Sequence, residues 1–165
     1  MSPEEIAQTL GLIAHEEGGY FRQTFQTDLT VDLLDREGST RYILNTILYM
    51  LTARSPVNYL HRNRSAIVHY FHQGAPLAYT VLSPEGRLET AILGPDIAAG
   101  HVLQLVVPAG SWKAARLLGG THGLISEAVA PGWDLRDREL ATHALLRRWP
   151  ELADRLAPLI CPNEG

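Results

Sequence analysis

The sequence predicts an all-β fold, an antiparallel barrel or sandwich with short helices at both ends. Three observations carry that expectation. Short aliphatic and aromatic segments follow one another from about residue 40 to 130, turn chemistry separates them, and helical spacing appears only near the two ends.

In chain order, Ser2-Pro3-Glu4-Glu5 opens a helix. Ser2 can cap it, Pro3 suits the first helical position and Glu5 completes a capping box, over about residues 3–13. Gly18-Gly19 then turns the chain into YFRQTFQT, where Tyr20, Arg22 and Thr24 alternate with Phe21, Gln23 and Phe25 as in a strand. DLTVDLLDREGST, of mixed polarity, reads as a loop or irregular excursion. The segments RYILNTILYML, VNYLH, AIVHYFH, LAYTVLS, LETAIL, HVLQLVV, WKAARLL and GLISEAVA are strands. Turns such as Pro84-Glu85-Gly86 and Pro108-Ala109-Gly110 divide them. Beyond Pro131-Gly132, Leu135, Leu140, Ala144, Leu145 and Leu146 fit an amphipathic helix. Pro150 ends it, and ELADRLAPLI gives a second short one. No internal repeat or linker divides the 165 residues, so one domain is expected, with its barrel at about 19–130 and C-terminal helices at about 134–160.

Composition narrows the function classes. With 45% apolar and 19% charged residues, the chain is of the soluble globular kind. A formal charge of −4 and no clustered Lys or Arg give nucleic acid no electrostatic reason to bind. The lone Cys161 excludes a disulfide framework and any CxxC zinc site. MSPEEIAQTL lacks the basic start and apolar run of a signal peptide. No apolar run approaches the roughly 20 residues of a membrane-spanning helix. A cytoplasmic location is the default expectation, with no membrane partner.

HEEGGYFRQTF (15–25), LHRNRS (60–65), VVPAGSWKA (106–114) and VAPGWD (129–134) together resemble the cupin 5 family, formerly domain of unknown function 985, of the RmlC-like cupin superfamily. The motifs stand in family order from His15 to about Leu146. The resemblance implies a double-stranded β-helix, the jelly-roll cupin barrel, with a small-molecule ligand inside it, in a homodimer. Departures are visible. Glu16 replaces the proline that usually follows the first histidine, and Ser65-Ala66-Ile67-Val68-His69-Tyr70-Phe71 replaces Ser-Asp-Glu-Ile-Trp-His-Phe. The chain is thus closer to a branch in which a histidine takes the tryptophan position.

Metal-dependent cupins offer two histidines and a glutamate from one motif and a third histidine from another. The resemblance places His61 at one of these positions, Ile67 at the glutamate position and Lys113 at the second-motif histidine. Isoleucine has no donor, and an ammonium repels a divalent cation. No metal or other cofactor is therefore expected.

Alternation sorts Ile67, His69 and Phe71 onto one strand face and Val68, Tyr70 and His72 onto the other. The resemblance turns the first face inward. The same logic puts Lys113 inside with Ala115, Gln104 inside with Val106, and Glu127 inside with Ile125 and Val129. The expected catalytic set is His69, Lys113 and Glu127: a carboxylate orients a histidine that moves protons near neutral pH, and a lysine stabilises developing negative charge. His61, Gln104, Tyr49, Ile67 and Phe71 are expected to bind the ligand. Arg22 either clamps an anionic ligand or pairs with an acid at the rim, Glu17 being the candidate. His72 reads as a surface or dimer residue, and Trp112 and Trp133 as packing anchors.

Two classes of function follow. One is a metal-independent isomerase, epimerase, cyclase or lyase; the cupin sugar epimerases, which need no metal, are the analogy. The other is a non-catalytic small-molecule binder in which His69, Lys113 and Glu127 merely satisfy one another. A metal-dependent cupin enzyme stands third.

Overall fold

The capping box forms as the sequence predicts. In the computed structural model, which describes residues 1–36 and 38–162, Glu5 N donates to Ser2 Oγ at 3.2 Å and Ser2 N donates to Glu5 Oε2 at 2.8 Å. The helix they start, α1 (Pro3–Leu10), stops at Gly11, whose φ of 64° suits a residue without a Cβ.

The strands, in chain order, are β1 (Ile13–Ala14), β2 (Tyr20–Gln26), β3 (Thr30–Asp32), β4 (Thr40–Tyr42), β5 (Asn45–Thr52), β6 (Val57–Asn63), β7 (Ala66–Gly74), β8 (Leu77–Leu82), β9 (Leu88–Leu93), β10 (Gln104–Val107), β11 (Trp112–Leu117), β12 (His122–Ala130) and β13 (Arg138–Leu140). They form an antiparallel sheet in the order β1-β2-β5-β12-β7-β10, another in the order β13-β6-β11-β8-β9, and a separate β3-β4 hairpin.

Alternation along single strands assigns the core to three places. Inward residues of the two sheets, among them Tyr49, Leu51, Leu77, Tyr79, Ala115 and Ile125, fill the space between them. On the outer side of β11, Trp112 and Ala114 pack with Leu145, Leu156, Leu159 and Ile160 from the C-terminal segment, which includes α2 (Ala144–Arg148) and α3 (Ala153–Leu156). On the outer side of β5, Met50 meets Ile6 of α1, with Leu12 and Leu124. Each large side chain so buried stabilises by roughly 1.5–3 kcal/mol, which is why two-residue alternation survives on strands covered on both faces.

Two expectations change. The stretch 28–40, read as a loop, carries the β3-β4 hairpin. The stretch 134–160, read as helices, begins with a 3₁₀ turn at Leu135–Asp137 and then β13, before α2. The physical reason lies in Asp137. It is buried, Arg41 Nε and Nη2 donate to its two carboxylate oxygens at 2.8 and 2.9 Å, and Arg36 Nη1 donates to one of them at 2.9 Å. This ionic knot ties the hairpin region to the barrel, and the β13 backbone adds to the edge of β6, so pairing overrides the helical spacing of Leu135 and Leu140. Among the described residues no helix is long and apolar enough to cross a membrane.

Candidate active site inside the barrel

Strand register decides which side chains meet. β12 pairs β7 with Glu127 opposite His69 and Val129 opposite Ile67, and β11 pairs β6 with Lys113 opposite His61. Opposed residues share a sheet face. Glu127 and His69 thus project from one sheet and Lys113 and His61 from the other, into a common interior. Lys113 crosses the gap: its Nζ lies 2.7 Å from His69 Nε2 and donates at 3.2 Å to each Glu127 oxygen.

The proton inventory of this trio follows from its outer partner. His69 Nδ1 lies 3.3 Å from the Leu105 carbonyl, which can only accept, so Nδ1 carries the hydrogen and Nε2 accepts from Lys113. Burial, helped by the Lys113 charge and opposed by Glu127, holds the His69 imidazole below its ordinary pKa and so neutral. Burial alone would raise the Glu127 carboxyl. The charge of Lys113, with His69, overcomes it and keeps Glu127 well below the usual carboxylate range. The trio is an ammonium–carboxylate pair backed by a neutral imidazole.

A cavity of about 430 Å³ lies above this floor, lined by residues of both sheets. Lys113, Glu127, His61, Tyr49 and Ile67 line it, and its walls include Phe21, Ile47 and Val129. A second polar group sits on its side. Glu17, buried, faces His61 with Oε2 at 3.3 Å from Nε2, receives Arg138 Nη1 at 3.0 Å on Oε1, and stands 3.7 Å from His15 Nδ1. His61 Nδ1 is 2.7 Å from the Tyr59 carbonyl and therefore carries the ring hydrogen. Burial lowers the His61 pKa despite the pull of Glu17. Burial would raise that of Glu17, but His61, His15, Lys113 and the Arg138 hydrogen bond together lower it. A lone pair on Nε2 and a carboxylate oxygen thus converge on one spot, an arrangement that attracts a proton or a ligand donor.

The turn that delivers Glu17 needs its glycines. A Cβ on Gly18 (φ 90°) would stand 2.0 Å from the Val57 carbonyl oxygen, and one on Gly19 (φ 75°) 2.5 Å from Tyr49 Oη. Tyr49 donates its hydroxyl to the Gly18 carbonyl, which locks turn and barrel wall together. Burial, with the Glu17 and Glu127 charges, holds that phenol well above its ordinary pKa. At the mouth, Asn45 exchanges hydrogen bonds with the Trp133 backbone, fixing a rim on which Trp133 is 41% and Leu135 58% exposed.

Residues 4–141 match the family described as "Cupin superfamily (DUF985)". The chain belongs to this cupin family. It is 32% identical to "Uncharacterized protein YML079W" of Saccharomyces cerevisiae, over 95% of this chain and 81% of the yeast protein. Among solved structures it resembles protein SO0799 from Shewanella oneidensis, with a TM-score of 0.88 and 30% identity over 99% of both chains. It also resembles a hypothetical protein from Leishmania major, with a TM-score of 0.89 and 26% identity over 97% of this chain and 99% of that one.

As a cupin, the chain can be tested for the metal that many barrels of this fold hold. Ile67 lines the cavity at the glutamate position without a donor atom, and the Lys113 ammonium already sits within hydrogen-bond reach of the nearest carboxylate. Among the described residues no group of three or more His, Cys, Asp or Glu is arranged to hold a metal ion. This donor set does not fit a divalent cation.

The barrel brings Lys113, Glu127, His61, Tyr49 and Ile67 to its cavity, as the sequence predicts. His69 points inward but lies beneath Lys113, wholly buried and off the cavity surface, and Phe71 packs into the core between the sheets. Gln104 is a correction: it faces solvent. β10 pairs Leu105 with His69 and Gln104 with Tyr70, so Leu105 shares the inward face and Gln104 the outward one. Arg22 is exposed as well, because Phe21 is the residue opposite inward-facing Tyr49; the acid at the rim, Glu17, pairs with Arg138 instead. Glu17 was missing from the expected site because it sits in a turn, where no period flags it. The adjacent Gly-Gly was the available signal.

Proposed function

We propose that this cupin is a metal-independent acid–base enzyme acting beside a carbonyl, an isomerase, epimerase or cyclase, on a small metabolite. The observation that carries the reading is the convergence of the His61–Glu17 proton acceptor and the Lys113 ammonium on one cavity of ligand size. His61 Nε2, with Glu17 beside it, takes a proton from a carbon next to a carbonyl. Lys113 supplies positive charge for the enolate oxygen. Its 3.2 Å contacts to Glu127 are long, and one of them yields to the incoming oxygen. Glu127 pairs with the Lys113 ammonium, and His69 acts as a positioning residue that fixes it from behind. The walls and the Trp133–Leu135 rim suit a substrate with an apolar part.

The test is solvent exchange. A panel of enolisable hydroxyketones and keto acids is incubated with the protein in D₂O and followed by proton NMR. Deuterium should enter next to the carbonyl of at least one compound, and His61→Gln and Lys113→Met should each slow this by about 10²-fold or more.

One observation favours a second reading, a non-catalytic binding cupin: all three Lys113 hydrogens already have protein acceptors in His69 and Glu127. A compound that binds saturably in the cavity, yet exchanges no proton over days, would decide for it.

A homodimer is part of the same proposal, supported by the edge position of β10 and the exposed Tyr70, Leu103 and Val106 beside it. Light scattering on the eluted protein at micromolar concentration should give twice the chain mass of 18.2 kDa.

A further inference from the structure

Three carboxylates line the barrel cavity, Glu16, Glu17 and Glu127, and among the described residues one Lys or Arg, Lys113. The Lys113 ammonium is already engaged by both Glu127 oxygens and by His69 Nε2. Arg138, from β13, is shared: its Nη1 stands 2.5 Å from Glu16 Oε1 and 3.0 Å from Glu17 Oε1. One guanidinium thus serves two carboxylates, and the Glu17 side of the cavity keeps a net negative charge.

The second oxygen of Glu17 also lacks a close donor. His61 turns a lone pair toward it, because the ring hydrogen on Nδ1 is committed to the Tyr59 carbonyl. His15 Nδ1 accepts from Glu17 N at 3.1 Å and so brings no hydrogen to the carboxylate. Asn58 Nδ2 donates to Oε2 only at 3.5 Å, beyond the usual range. Two acceptors, one of them charged, are left 3.3 Å apart on the cavity wall. A proton between them would end the conflict, but burial holds His61 below its ordinary pKa, so the ring is neutral at neutral pH. An ammonium brings several hydrogens and the missing positive charge together. A hydroxyl brings one hydrogen and no charge, and a carboxylate brings neither.

We propose that the barrel takes a small primary amine, bound as its ammonium at Glu17 Oε2 and His61 Nε2, with its apolar part against Phe21, Ile47 and Val129. The proposal rests on the reading of this cavity as the ligand site. It narrows the substrate of the acid–base reaction to an amine whose nitrogen-bearing carbon adjoins the carbonyl. Glu17, the charged acceptor, takes the stronger hydrogen bond. The carbon that bears the nitrogen then lies beside His61 Nε2, where the proposed base must act.

The probes are 2-phenylethylamine, 2-phenylethanol and phenylacetate, which share a skeleton and differ in the head group. Each is titrated into the full chain by calorimetry at neutral pH. The amine should bind saturably and about tenfold or more tighter than the alcohol, and the acid should not bind. Glu17→Gln, which removes the charge and keeps the shape, should bring the amine down to the affinity of the alcohol. If that variant does not fold, nitrogen-15 NMR of the parent protein decides. The amine, and not the acid, should move the His61 Nε2 resonance toward the protonated range as its lone pair accepts a hydrogen bond. An amine that fails to bind saturably, or that binds no tighter than the alcohol or the acid, would overturn the proposal. So would an amine affinity unchanged in Glu17→Gln, or a His61 resonance unmoved by the bound amine. Because 2-phenylethylamine has no carbonyl and cannot turn over, the two readings fail separately. Amine binding without deuterium exchange in any compound keeps the ammonium site and removes the enzyme.

Discussion

Glu17 Oε2 stands 3.3 Å from His61 Nε2, while Nδ1 of the same ring is committed at 2.7 Å to the Tyr59 carbonyl. The carbonyl chooses the tautomer, and the choice leaves two acceptors facing each other. At neutral pH His61 should therefore appear in nitrogen-15 NMR as a neutral ring protonated on Nδ1. In Glu17→Gln its pKa should fall further, because the carboxylate that pulls it upward is gone. An Nε2–H ring, or a pKa that rises in the variant, would break the assignment on which the proposed base rests.

The Lys113–Glu127 pair joins the two sheets across the barrel, and its stability effect depends on how it is removed. Lys113→Met leaves a buried carboxylate without its cation and should cost about 3–5 kcal/mol. Lys113→Met combined with Glu127→Leu removes both charges. It should cost much less, the remainder being the unmatched His69 Nε2, about 1–3 kcal/mol. Urea unfolding of the two variants compares them directly, and equal losses would show that the charges are not coupled.

What the sequence made legible was face, not phase. Alternation put Ile125, Glu127 and Val129 together, and Lys113 with Ala115, and the family resemblance turned these sets inward as the barrel does. For β10 the same alternation carried no anchor. Gln104 and Leu105 were equally eligible until the register with Tyr70 and His69 chose between them. Glu17 and Asp137 were harder still. Each sits in a turn, and each is held by partners distant in sequence, Arg138 and Arg41, that no local pattern announces. His69 was visible as an inward histidine, but only three-dimensional packing shows Lys113 standing between it and the cavity.

The turn after Glu17 should tolerate no side chain. Gly18→Ala sets a Cβ against backbone, 2.0 Å from the Val57 oxygen, at a φ that L-residues rarely adopt. A cost of about 1–3 kcal/mol from the backbone conformation alone is expected, with the clash added to it. The displacement should also free the Tyr49 hydroxyl from the Gly18 carbonyl. Chemical denaturation together with tyrosine absorbance titration would register both. An unchanged midpoint would mean that the turn relaxes freely and does not fix Glu17.

Acid should destabilise the protein in two stages, and the signs follow from the shifts. His61 and His69 have folded pKa values below the ordinary imidazole value, so the unfolded chain binds their protons first. Stability is therefore full above about pH 6.5 and falls as pH drops below it, with a slope reaching about 2.7 kcal/mol per pH unit while both rings stay neutral in the fold. Glu17 and Glu127 are depressed too, so their contribution is present above the unfolded carboxylate range near pH 4.3 and is lost as pH falls through their lower folded values. Unfolding midpoints measured from pH 8 to 3 should decline first below about 6.5 and more steeply below about 4.5. In a His61→Gln, His69→Gln double variant the first decline should flatten while the second persists. A midpoint that holds constant from pH 7 to 5 in the parent protein would show that the two histidines take up protons as readily in the folded state as in the unfolded one.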